Sequence, residues 1–142
     1  MRNLPILIVI LLFVLGCGNS TSVSTGNAPQ SVSGVRRVNI NQTKTFDGLD
    51  VTVGEIALES GKVTVGVTLA NKTKETLTVY PDQGEIIIGK SQFESNMFMA
   101  TGDLGGEIHA GVEKRGSLAF IGDNIDTATK QIDLRLGKVY GG

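Results

Sequence analysis

The chain has no tryptophan, one cysteine, one histidine and three prolines among 142 residues, with two tyrosines and five phenylalanines as its aromatic content. A single cysteine cannot close an internal disulfide, so a folded domain here rests on its core alone. Without tryptophan or a second cysteine, an antibody-type core, in which a disulfide packs on an indole, is excluded. The single histidine, His109, has no second His or Cys to share a metal with inside the expected domain. General-base work by His109 would also need partners, and none is visible. The bases and acids balance at 13 to 14, which removes the electrostatic case for nucleic acid. No metal or other cofactor is expected.

The one cysteine sits where its surroundings give it a meaning. A charged start, Met1-Arg2-Asn3, is followed by the apolar residues 4–15 and then by Gly16-Cys17. Twelve apolar residues are too few to span a bilayer, which takes about 20. They match the apolar core of an export signal. The run Val14-Leu15-Gly16-Cys17 resembles a bacterial lipobox. The resemblance implies a signal peptide over residues 1–16 and lipidation of Cys17 with acyl chains such as palmitate. It also implies a protein held on the extracytoplasmic face of the cell membrane. Loss of residues 1–16 removes Arg2 alone among the charged side chains, leaving 12 bases against 14 acids and a net charge of −2. Membrane attachment would then come from acyl chains, at about 0.8 kcal/mol per buried methylene.

Residues 18–34 carry no charge and hold five serines, two threonines, two asparagines and three glycines. Such a chain buries too little apolar surface to offset its ordering entropy and reads as a disordered tether. Its typical reach is roughly 20–25 Å. Folded character begins near Val35, and residues 35–142 make one domain.

Within that domain the apolar period is two. Val63, Val65, Val67 and Leu69 alternate with smaller or polar residues, as do Leu49, Val51 and Val53, and Ile132, Leu134 and Leu136. Each run predicts a strand with one face to a core. The phase slips at Gly54-Glu55, which predicts a β-bulge. Glu59-Ser60-Gly61-Lys62 reads as a hairpin turn, and Pro81-Asp82-Gln83-Gly84 as a turn built on a preset proline φ. About eight strands are expected, at 35–40, 49–58, 62–70, 75–80, 85–94, 96–100, 106–120 (in two pieces) and 130–136. The fold class is all-β, an antiparallel immunoglobulin-like sandwich of seven to eight strands, with a closed barrel as the alternative.

Several stretches carry a family likeness. They are Phe46-Asp47-Gly48-Leu49-Asp50-Val51-Thr52-Val53, Val65-Gly66-Val67-Thr68-Leu69-Ala70-Asn71-Lys72-Thr73, residues 110–120 and the closing strand 131–136. They resemble the immunoglobulin-like domain of unknown function found in many Gram-positive cell-surface lipoproteins. That domain is similar in fold to a mycobacterial secreted immunoprotective antigen. The likeness implies fold and location, and brings no activity with it. Ile121-Gly122-Asp123-Asn124 departs from the pattern, since the family often has a proline-containing strand exit there.

Candidate sites are few. Asp103, Asp123, Asn124 and Asp126 offer oxygen ligands for calcium, but without the spacing or central glycine of an EF-hand. Thr101-Gly102-Asp103-Leu104-Gly105-Gly106 is rich in glycine, lacks the lysine and helix of a phosphate loop, and reads as a flexible connection available for contact. Met97-Phe98-Met99 is the most suggestive run, because three consecutive apolar residues cannot share one face of a strand. Either that strand is covered on both sides or part of the trio is exposed as an adaptable binding patch. The sequons at Asn19, Asn41 and Asn71 read as chance matches.

With no nucleophile–base pair in view, the expectation is a non-enzymatic interaction module at the cell envelope. Its partner would be an envelope protein or polymer, and Met97, Phe98, Met99 and Asp103 its tentative contact residues. The alternatives are a small-molecule or wall-polymer receptor, and an inhibitor or immunity lipoprotein.

Overall fold

The computed structural model describes residues 3–11 and 34–141. Cys17, residues 12–16 of the expected signal and residues 18–33 of the expected tether lie outside the described residues.

The protein is an all-β antiparallel sandwich. One sheet is built from β2 (Arg36–Phe46), β3 (Leu49–Glu59), β4 (Lys62–Asn71), β10 (Glu113–Ile121) and β8 (Thr101–Gly102), in that spatial order. The strongest alternation in the chain lies on β3 and β4. Leu49, Val51, Val53, Val63, Val65, Val67 and Leu69 all point into the core. Thr52, Thr64 and Thr68 occupy the half-exposed opposite face. Branched side chains on a pleated, half-buried surface are what favours this pairing. The slip at Gly54 appears as the expected bulge, with register shifting between Val53 and Ile56. The turn at Ser60-Gly61 joins Glu59 to its partner Lys62.

The second sheet is organised around β11 (Gln131–Gly141). β1 (Asn3–Leu11) runs along β11 from Gln131 to Tyr140 and takes up one edge of it. A strand has two edges, so β6 (Glu85–Ile88) and β5 (Leu77–Val79) share the other, separated by a 3-10 turn at Pro81–Gln83. β7 (Ser91–Glu94) pairs with β6, and β9 (Gly106–Ile108) with β5. The two sheets enclose one aliphatic core, with Phe120 its largest fully buried side chain. Two separate sheets replace the closed barrel of the alternative expectation.

Among the described residues eleven strands stand where about eight were expected, for local reasons. The stretch 85–94 folds back on itself as the β6–β7 hairpin, turning at Gly89 with φ +63°. Residues 96–100 form a turn rather than a strand. The first strand of the domain continues past residue 40 to Phe46 through an irregularity at Asn41, which has φ +49°. It then enters an Asp47-Gly48 turn with both φ values positive. That pairing of residues is the type I′ hairpin signature.

β1 is the least expected element. The sequence reading began the sandwich at residue 35, whereas the sheet here also takes in Asn3–Leu11. Ile6, Ile8 and Ile10 are fully buried, and Leu7, Val9 and Leu11 are exposed. A continuous apolar run carries no period, so it suits a signal core and a strand with one buried face alike.

Candidate interaction surface

Backbone pairing fixes the place of the Met97-Phe98-Met99 run. Ser95 bridges Phe120, and Asn96 donates its N–H to the Ala119 carbonyl at 2.7 Å. The Ser95 N–H reaches the Gly84 carbonyl at 2.9 Å. The segment leaving β7 is thus tied to both sheets at once. Beyond Asn96 the chain turns sharply. The Asn96 side-chain oxygen accepts the Phe98 N–H at 3.0 Å, and its carbonyl accepts the Met99 N–H at 3.2 Å. This is an Asx turn, in which a side-chain amide does the work of a backbone carbonyl.

The turn carries its apolar side chains outward. Phe98 is 92% exposed and Met97 61%, and Met99 is also exposed. Of the two expectations for this run, exposure is the one observed. Met97 and Phe98 line a shallow depression of about 510 Å³ with Gln92, Phe93, Asn96 and Ile121. Phe93 is half-buried and packs on the core. Gly122 is required beneath it, since a Cβ there would run into the Phe93 ring. The Ser95 hydroxyl oxygen, also at this site, is buried without a hydrogen-bond partner.

Four cross-strand pairs place this turn within the domain. Arg36 lies opposite Leu58, Leu58 opposite Val63, Val63 opposite Phe120 and Phe120 opposite Ser95. The start of β2 and the exposed turn therefore share one row across the sheet, at opposite edges.

The other expected site residues lie elsewhere. Asp103 does not line the depression. Its carboxylate is 3.2 Å from Lys114 Nζ, which also donates to the Gly105 carbonyl at 2.8 Å. The glycine-rich run around it is tied down rather than loose. Leu104 is buried, the Thr101 and Ser117 hydroxyls meet at 2.6 Å, and Gly102 (φ +79°) lies against the backbone of Arg115 and Gly116. His109 is exposed, with Nδ1 3.1 Å from the Thr76 hydroxyl. Asp126 caps its own loop by accepting the Ala128 N–H at 3.0 Å. Among the described residues no group of three His, Cys, Asp or Glu side chains is placed to hold a metal ion, and no helix is long and apolar enough to cross a membrane.

Asn71, read from the sequence only as part of a family stretch and as a chance sequon, has a structural role that reading did not give it. It is buried, and its amide donates to the carbonyls of Glu75 and Ile108 at 2.7 and 2.8 Å. Its oxygen accepts the Thr73 N–H at 2.9 Å and the Thr73 hydroxyl at 2.7 Å. The Asn-x-Thr spacing serves this network, and a glycan has no access to the amide. An asparagine ending an alternating strand and followed by Thr two residues on is the signal that was available.

No family model matches the chain, and no curated protein does. Among solved structures, it is similar to a conserved hypothetical protein from Bacillus anthracis, at 14% identity and a TM-score of 0.58. The match covers 75% of this chain and 94% of that one. It is also similar to a functionally unknown protein from Listeria monocytogenes, at 13% identity and a TM-score of 0.48, over 62% of this chain and 63% of that one. The first likeness supports the sandwich fold and carries no activity.

Proposed function

We propose that the chain is an extracytoplasmic lipoprotein, anchored through Cys17, that acts as a non-enzymatic interaction module at the cell envelope. The observation that carries the interaction is the turn at residues 96–99. A phenylalanine exposed almost completely is held by a side-chain cap on a segment bonded to both sheets. Solvent exposure of a large apolar group is unfavourable at about 25 cal/mol per Å² of surface, and a fixed turn keeps that surface available to a partner. A rigid aromatic beside two adaptable methionines is the composition of an interface anchor. The anchor itself is supported by the resemblance of residues 14–17 to a lipobox and by the uncharged stretch that follows.

Two measurements test the parts separately. Metabolic labelling with a palmitate analogue is expected to mark the wild-type protein and to miss Cys17→Ser; labelling of both would remove the anchor. Affinity capture from envelope extract is expected to enrich a partner that Phe98→Ser loses while its unfolding transition stays in place. Recovery of the same proteins by both chains would remove the turn from the interface.

A further inference from the structure

The pairing of β1 with β11 defines a slot whose present occupant fits it on only one side. β1 meets β11 antiparallel, with Ile10 opposite Ile132 and Ile8 opposite Leu134 on the buried face. Ile6, Ile8 and Ile10 are part of the core. β2 of the other sheet touches β1. The outward face is different. Leu7 lies opposite Arg135, Val9 opposite Asp133 and Leu11 opposite Gln131. Three exposed apolar side chains stand against a base, an acid and an amide. A strand resident at a solvent-facing edge carries polar residues on that side, and opposite charges directly across two strands stabilise the pair.

We infer that, once residues 1–16 are removed, the vacated edge of β11 binds an extended segment of a partner protein. That segment has apolar side chains at alternate positions, with an acid opposite Arg135 and a base opposite Asp133. The inference rests on the export reading proposed above, because cleavage before Cys17 is what empties the slot. Without β1, the backbone of β11 presents unpaired N–H and C=O groups, a template for strand addition. Main-chain hydrogen bonds would supply affinity, and the space left by Ile6, Ile8 and Ile10 would select alternate apolar side chains. Arg135 already meets Glu85 at 2.8 Å, and Asp133 accepts from Gln131 at 3.0 Å, so both charges are held at the mouth of the slot.

The test uses the processed chain, residue 17 onward, in detergent, with two peptide probes based on residues 3–11. One carries Leu7→Glu and Val9→Lys, the other Leu7→Lys and Val9→Glu, so their compositions are equal. The first is expected to slow amide exchange along residues 131–136 and to bind about tenfold more tightly than the second. Equal binding, or unchanged exchange on β11 with both, overturns the slot. A processed chain that is unfolded alone and folds with the first peptide supports it, and one that stays unfolded with both overturns it. A concentration-dependent dimer with β11 protected in the absence of peptide also overturns it, by giving the edge to a second copy. The N-terminal mass of the protein recovered from bacterial membranes separates the two ideas. Retention of residues 3–11 defeats the export reading and the slot together, whereas a processed chain that ignores the peptides defeats the slot alone.

Discussion

The β3–β4 hairpin and the segment from Ser91 to Met99 solve opposite problems. In β3 and β4, nearly every alternate side chain is an aliphatic residue in the core, and the pairing runs unbroken except at the Gly54 bulge. The segment after β6 has four residues of strand, then a turn that exposes Met97, Phe98 and Met99. The hairpin's apolar side chains are held by packing. The turn's are held out by hydrogen bonds at Ser95 and Asn96. Burial therefore sets stability in the first region, and backbone geometry sets availability in the second.

This contrast breaks most sharply at Phe120, which lies beside Val63 of the hairpin with its side chain in the core and also bridges the turn through Ser95. Phe120→Ala is expected to cost about 3–5 kcal/mol in denaturant unfolding, the range for a fully buried aromatic. A loss under about 1 kcal/mol would mean that the core tolerates the hole by collapse. Next comes Asn71→Ala, which takes the amide from the Ile108 carbonyl and the Thr73 N–H, while the Glu75 carbonyl keeps the Thr73 hydroxyl at 3.0 Å. Its expected cost is about 2–3 kcal/mol, read from the same transition. Asn96→Ala removes only the cap on Phe98 and is expected to cost about 1 kcal/mol, with faster amide exchange confined to residues 97–99. Exchange that quickens across β10 as well would show the turn to be part of the core's cooperative unit. Smallest is Phe98→Ser, expected to change stability by no more than about 0.5 kcal/mol while abolishing partner capture. A loss of several kcal/mol there would assign the ring a structural role and erase the contrast.

How far the sequence could be read follows the same division. Val63 to Leu69 announces its strand because one face is buried and the other wet, so period two is written into the residues. The Gly54 bulge was legible for the same reason, as a slip in an otherwise clean phase. Ile86-Ile87-Ile88 hid the β6–β7 hairpin, because consecutive isoleucines carry no phase and Gly89-Lys90 is a weak turn signal. Residues 4–11 are ambiguous in the same way. Met97-Phe98-Met99 was flagged by the failure of alternation, but its exposure depends on Asn96, whose capping role needs the turn to exist first. Asn71 and Ile108 meet across 37 positions of chain, and no local pattern reports such a contact.

The row from Arg36 to Ser95 has a mechanical consequence. It spans four inter-strand steps of about 4.8 Å, or roughly 19 Å. The chain enters β2 at one edge of the sheet and the 96–99 turn stands at the other, so Phe98 is separated from the point of entry by the width of the sheet. A pull on the turn is therefore passed to Arg36 through the hydrogen-bonded ladders that join β10, β4, β3 and β2, which share the load side by side.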